Sequence, residues 1–318
     1  MAAALTITAD MTIDALKLMR LQSWLSPAFP IGAYSYSHGL ERAVESDAVR
    51  DRATLVDWLD ADLRHGSGRA DAIFLAEAWR AASASSLSPG HCVSAPSPGG
   101  FAATLSRDGI GLEYAAGSKP FFRNQKKGEL DQGALRNERP LPSRERAGTQ
   151  CLGEGAGSAT ETDHCDILAV AELAAAMRGT AELALESGQQ GVAFLTAVRK
   201  AWPDERLDSV AAALKHAGTT PVLPVAAGMA CAVHAIALEL AVPLYVQAAV
   251  ANLVNAAVRL IPLGQSDGQK TVAALEEAVL DTAEDALSAG LCDGGSAAFM
   301  IDIASMQHET QYTRLFRS

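Results

Sequence analysis

The sequence is poor in aromatic residues, has no paired cysteine motif, carries no excess of positive charge and shows none of the short signatures of familiar catalytic sites. Aromatics make up 5% of its 318 residues, whereas 49% are apolar by the broad count, with alanine dominating that share. Sheets prefer β-branched and aromatic side chains and alanine is the best helix former, so this balance excludes a mainly β protein. Five cysteines, an odd number without a C-x-x-C pair, exclude a disulfide framework and a finger-type zinc site. With 37 acidic against 26 basic residues the formal charge is −11, which argues against non-specific binding to nucleic acid or to an anionic membrane. Proteins are the natural partners. The opening "MAAALTITADMTIDALKLMR" has no basic residue before Lys17 and so lacks the charged start of a secretory signal; the cytoplasm is the expected compartment. No G-x-x-x-x-G-K-[ST] loop, G-x-S-x-G elbow or H-E-x-x-H pair occurs, which weakens an enzyme reading.

What is present is helical periodicity, interrupted once. Between 83 and 164 the chain turns to Ser, Gly, Pro and scattered charge, as in "ASASSLSPGHCVSAPSPGGFAATLSRDG", and no helical or strand period survives. Nine basic and nine acidic residues fall there, so the whole net charge belongs to the flanking parts. A structureless stretch of this length predicts a disordered insertion in an all-α, bundle-like domain, whose two parts are residues 1–82 and 165–318. Leu16, Met19, Leu21 and Leu25 begin a first helix that Pro27 ends. Leu55, Val56, Leu59 and Leu63 mark another, with Asp51 or Thr54 as its cap and Gly66 as its stop. Further helices are expected near 166–178, 180–201, 205–217, 224–240, 244–260, 269–289 and 299–307. Two of these are apolar enough to raise a membrane question, but prolines and polar residues such as His234, Glu239, Asn252 and Arg259 fit central helices of a bundle better.

Candidate chemistry is thin. His91–Cys92 and His164–Cys165 could bind zinc or nickel, yet both lie at the edges of the expected insertion, where nothing holds a geometry. His234, on an apolar helix, reads as a core histidine satisfied by a neighbour. Arg259 ends a helix just before "IPLGQSDGQ", where the helix dipole favours a cation; with Gln265 and Gln269 it also offers polar groups on a loop for a partner. In "AYSYSHGLERAVE", Tyr34, Tyr36, His38 and Glu41 have the profile of an interface or wet cavity, or of a helix start packed on the core. The chain closes on "HETQYTRLFRS", which sets arginines among a tyrosine, a leucine and a phenylalanine. Such an ending looks built to be held, because termini are otherwise polar and frayed.

Four motifs in order, "SPAFPIGAYSYSHGLERAVE", "AMRGTAELALESGQQG", "AAVRLIPLGQSDGQ" and "DIASMQHETQYTRLFRS", resemble the UreF family of urease accessory proteins. The resemblance covers most of 15–82 and 165–318; the segment between is a departure, since family members join these parts by a short connection. It implies an all-helical cytoplasmic scaffold, not an enzyme, that forms a homodimer, binds a UreD/UreH-type accessory protein and recruits the GTPase UreG for nickel delivery into apo-urease. No cofactor is expected to be bound stably: nickel is the delivered ion, and GTP is used by the partner GTPase. By the same resemblance Tyr312, Arg314, Leu315, Phe316 and Arg317 are partner-binding; His308 and, from the chemistry above, Tyr34, Tyr36, His38, Glu41, Arg259, Gln265 and Gln269 are assigned to partner binding with them. Aromatic and arginine anchors are what binding hot spots favour. Eleven residues cannot form a stable helix alone, so the tail is expected to be mobile unless the core or a dimer mate holds it. The alternative is a small all-α enzyme with a pocket of Tyr34, Tyr36, His38 and Glu41.

Overall fold

Two long alanine-rich helices that barely contain a charged residue on their touching faces form the centre of the molecule. The computed structural model describes residues 14–85 and 167–318, all of which fall in one compact unit. Twelve α-helices and two short 3-10 turns, with no strand, make up the described residues. The N-terminal part supplies α1 (Ala15–Trp24), α2 (Leu40–Glu45), α3 (Arg52–His65) and α4 (Ser67–Ser85). The C-terminal part supplies α5 (Ile167–Ala176), α6 (Ala181–Ala201), α7 (Glu205–Ala217), α8 (Leu223–Val233), α9 (Leu238–Leu260), α10 (Gln265–Ala274), α11 (Glu276–Ser288) and α12 (Phe299–His308). Because α4 runs through to Ser85, Ser83 to Ser85 are helical and not part of the insertion. The remainder of that expected insertion lies outside the described residues.

The central pair is α4 against α8, flanked by α6 and α9. Ile73, Phe74, Leu75, Ala76 and Ala78 on α4, and Val225, Ala226, Met229 and Ala230 on α8, are essentially inaccessible to solvent. Burying each large side chain among them stabilises the fold by about 1.5–3 kcal/mol, while the alanines let the helix axes approach. The closest approach is at Gly228, where a Cβ would stand 2.3 Å from the Leu75 carbonyl oxygen. Trp79 locks the same pair from outside by donating its indole N–H to the Ile236 carbonyl at 2.8 Å.

Local signals set most helix ends. Asp51 caps α3 by accepting from the Thr54 N–H at 2.9 Å, and Thr54 Oγ1 accepts from the Asp51 N–H at 3.1 Å, a reciprocal box that satisfies two otherwise orphaned donors. The helices expected at 224–240 and 269–289 differ from that reading. The first breaks at His234, because Ala235 takes a left-handed φ of 52° and the Ile236 N–H returns to the Cys231 carbonyl at 2.8 Å, closing a Schellman turn. Pro243 then lies inside α9 and does not end a helix; it removes one backbone bond and the helix continues. The second divides at Leu275 into α10 and α11. The α10 helix begins at Gln265, so Gln265 and Gln269 are helical and not on a loop. Among the described residues α9 alone is long and apolar enough to cross a membrane, and half of its apolar window is buried inside the fold against its neighbours.

Candidate docking site at the C-terminal tail

Three glutamates hold the last ten residues of the chain against the helical core. Two come from α6, where Glu182, Glu186 and Gln190 recur every four residues and so share one face of the helix. The third, Glu41, sits in the first turn of α2, which a left-handed Gly39 (φ 74°) introduces. Only glycine fits there, since a Cβ would lie 2.6 Å from the Ser305 backbone nitrogen of α12. This close crossing brings His308, at the end of α12, between the two helices.

His308 is fully buried, with Nδ1 2.7 Å from Glu182 Oε2 and Nε2 3.2 Å from Glu41 Oε2. The ring thus lies within hydrogen-bond reach of both carboxylates. Glu41 also accepts the backbone N–H groups of Leu315 at 2.7 Å and Phe316 at 2.8 Å, and Glu182 accepts from the Arg314 guanidinium at 2.7 Å. Ser318 Oγ donates to Glu186 Oε2 at 2.6 Å, its carbonyl accepts from the Ser37 N–H at 2.8 Å and from the Ser37 hydroxyl, and the Arg317 N–H reaches the Ser35 carbonyl at 2.8 Å. Phe316 is buried beneath the Arg259 guanidinium, 4.3 Å from the ring centroid, and Arg259 donates to the Tyr34 carbonyl at 2.8 Å. Hydrogen bonds to charged groups contribute roughly 1.5–3 kcal/mol each, so these contacts together can offset the entropy of ordering a short segment. The core therefore holds the tail within the single chain.

Beneath the tail, His38 Nε2 lies 2.8 Å from Glu186 Oε1, which also accepts from Gln190 at 2.9 Å. Burial pulls the His38 imidazole down, but the Glu186 carboxylate outweighs it, and the pKa is pushed up to about 9. Arg178 pairs with Asp71 at 2.5 Å, and the Tyr245 hydroxyl donates to the other Asp71 oxygen at 3.3 Å. Burial chiefly raises the Tyr245 and Asp62 pKa values, and pushes the Cys231 thiol up to about 12, leaving that cysteine protonated and inert. His234 is half-buried and packs edge-on against Trp24 with Nδ1 3.3 Å from Arg20 Nη1, while its Nε2 has no partner among the described residues, so it is only in part the expected satisfied core histidine.

The structure brings together His38, Glu41, Arg259, His308, Arg314 and Phe316: Glu41, His308 and Phe316 are buried, His38 is half-buried, and Arg259 and Arg314 grip the cluster from the surface. Tyr36 is also inward, donating to Gln189 at 2.7 Å. Tyr34, Tyr312 and Leu315 are 69%, 103% and 64% exposed, and the Arg317 side chain is exposed as well. Gln265 and Gln269 are exposed on α10 and take no part in the cluster's hydrogen bonds. The pocket imagined from Tyr34, Tyr36, His38 and Glu41 is not assembled: Tyr34 faces solvent, Glu41 grips the tail and Tyr36 is engaged by Gln189. Sequence reasoning missed Glu182, Glu186 and Gln190 as site residues, although three polar groups at four-residue spacing on a helix with an otherwise apolar neighbourhood were a usable signal. It also missed Ser37 and Ser318, which only the return of the chain pairs. Among the described residues no group of three or more His, Cys, Asp or Glu side chains is placed to hold a metal ion. The His91–Cys92 and His164–Cys165 pairs lie outside the described residues.

Comparison with known proteins extends over both helical parts and into the segment between them, which is therefore not wholly a departure from the family. The model of the family UreF matches residues 49–94 and 127–276. The urease accessory protein UreF of Rhodopseudomonas palustris strain HaA2 is 38% identical over 301 residues, covering 95% of this chain and 93% of the relative. That of Bradyrhizobium diazoefficiens is 38% identical over 305 residues, with 96% and 93% covered, and that of Granulibacter bethesdensis 36% over 301, with 95% and 94% covered. Identity at this level along nearly the whole of both chains shows that this chain belongs to the UreF family of urease accessory proteins.

Proposed function

We propose that this accessory protein is a non-catalytic scaffold in urease maturation that docks a UreD/UreH-type protein, recruits the UreG GTPase and so supports nickel insertion into apo-urease. It acts in the cytoplasm as a homodimer, with nickel as cargo and GTP turned over by the partner. The observation that carries this reading is the two-sided tail. Its buried residues, His308, Phe316 and Ser318, and the exposed Arg314 are fixed by Glu182, Glu41, Arg259 and Glu186, so Tyr312 and Leu315 are presented to solvent on an ordered backbone. A preordered segment loses less entropy on binding than a disordered one. Beside it, Phe299, Met300, Ile303 and Met306 of α12 are exposed apolar side chains, and Gln265 and Gln269 offer polar contacts on α10. In this reading Arg259, His38 and Glu41 support the docking surface from beneath.

The test is capture of the UreD/UreH-type partner by the paired change Tyr312→Ser and Leu315→Ser, measured beside a melting curve. Stability should change by no more than about 0.5 kcal/mol, as for surface residues, while capture is lost. Undiminished capture would refute the tail as the docking element.

A further inference from the structure

A cavity of about 110 Å³ lies under the tail, lined by residues of α1, α4, α6 and α9 and by His38 and Arg178. Its wall has an unusual imbalance. Of the buried side-chain nitrogens and oxygens without a hydrogen-bond partner among the described residues, four belong to residues lining this one cavity: Trp24 Nε1, His38 Nδ1, Arg178 Nη2 and Ser187 Oγ. Trp24 and Ser187 are 1% and 8% exposed, and the Arg178 side chain 7%. All four can donate a hydrogen bond. Of the acceptors beside them, Asp71 already takes Arg178 and Tyr245, and Glu186 takes His38, Gln190 and Ser318.

We infer that this cavity is a binding site for one small, monovalent, planar oxyanion of the carboxylate or nitrate class. Native interiors leave few buried donors unpaired, and four around one chamber need a common acceptor. Water would bring two hydrogens that need acceptors of their own, whereas an oxyanion brings none and offers several lone pairs. Arg178 and His38 each meet a carboxylate on one side and direct a further nitrogen elsewhere, so each can hold an anion without giving up its partner. The charge limit follows from the lining, where Arg178 and His38 are each already paired with a carboxylate, Asp71 and Glu186, so a second negative charge would meet no further cation. Glu186 also binds Ser318, so the site shares a residue with the seat of the tail.

The experiment uses the full chain labelled with 15N and follows the indole N–H resonance of Trp24, assigned by its loss in Trp24→Phe. Sodium formate and sodium nitrate are titrated against equal concentrations of sodium chloride, with formamide as a neutral molecule of the same size. A saturable shift of the Trp24 indole with formate or nitrate, weakened about tenfold in Ser187→Ala by the loss of one hydrogen bond, is the expected result. Because Arg178→Gln alone would strand Asp71, the paired change Arg178→Gln with Asp71→Asn serves as the second variant and should abolish saturation while the other resonances keep their dispersion. A non-saturating response equal to that of chloride would overturn the site and leave the cavity to water. Saturation by formamide as strong as by formate would overturn the assignment to an anion.

Discussion

The α4–α8 centre and the seat of the tail are held by opposite chemistries. At the centre, alanines and one glycine bring two helices together and the contacts are apolar, non-directional and indifferent to pH. At the tail, three carboxylates, two histidines and two arginines supply directional contacts to a segment whose one buried large apolar side chain is Phe316. The first can fail only with the whole fold, whereas the second can open locally, since parts of one protein differ widely in their opening free energies. If the tail docks a partner as proposed, its opening and closing belong to the second category.

The largest expected effect breaks the centre. Gly228→Ala places a methyl group against the Leu75 carbonyl, and a backbone oxygen in a packed helix cannot move aside, so we expect a loss of about 3 kcal/mol or more, read as a lower melting temperature for every helix at once. A change confined to one region would show that the two helices are not a single cooperative unit. Next in size is Glu41→Gln, which sets an amide NH2 among donors from Leu315, Phe316 and His308. It should cost about 2 kcal/mol locally, visible as faster hydrogen exchange at the Leu315 and Phe316 amides with the α4 and α8 amides unchanged. Equal acceleration in both regions would erase the contrast between them.

A third effect appears only when pH is varied. The folded His38 pKa of about 9 is above its unfolded value near 6.5, so the His38–Glu186 pair contributes its full stabilisation below about pH 6.5 and loses it as pH rises through about 9. Wild type should therefore lose roughly 1–3 kcal/mol over that window relative to His38→Gln, measured by denaturant unfolding at each pH. Parallel curves for the two proteins would remove His38 from the stabilising network.

Much of the helical framework was legible because it depends on neighbours in sequence. The Asp51 cap, the Gly66 stop and the end of α1 before Pro27 are all written within a few residues. The errors fell where two local signals competed. Pro243 looked like a boundary, but the boundary was a left-handed Ala235, a conformation no sequence rule assigns to alanine. Gln265 and Gln269 looked like loop residues because glycines surround them, yet Gly264 serves as the N-cap of α10 and Gly268 is buried within it. Of the site, His38, Glu41 and the tail stood out by composition, while Glu182 and Glu186 did not, because a helical glutamate is ordinarily a solvated one.

Composition and periodicity alone determined that the chain folds as helices, because alanine content and 3.6-residue spacing act through local backbone preference. The order of four motifs sufficed to place it among urease accessory proteins. Only tertiary structure decided which face of the tail is inward, that Glu41 and Glu182 share one histidine, and that four donors meet at a common cavity. The carboxylate contacts of the tail join residues more than a hundred positions apart, and such contacts arise from the packing of whole helices, a property that no local stretch of sequence contains.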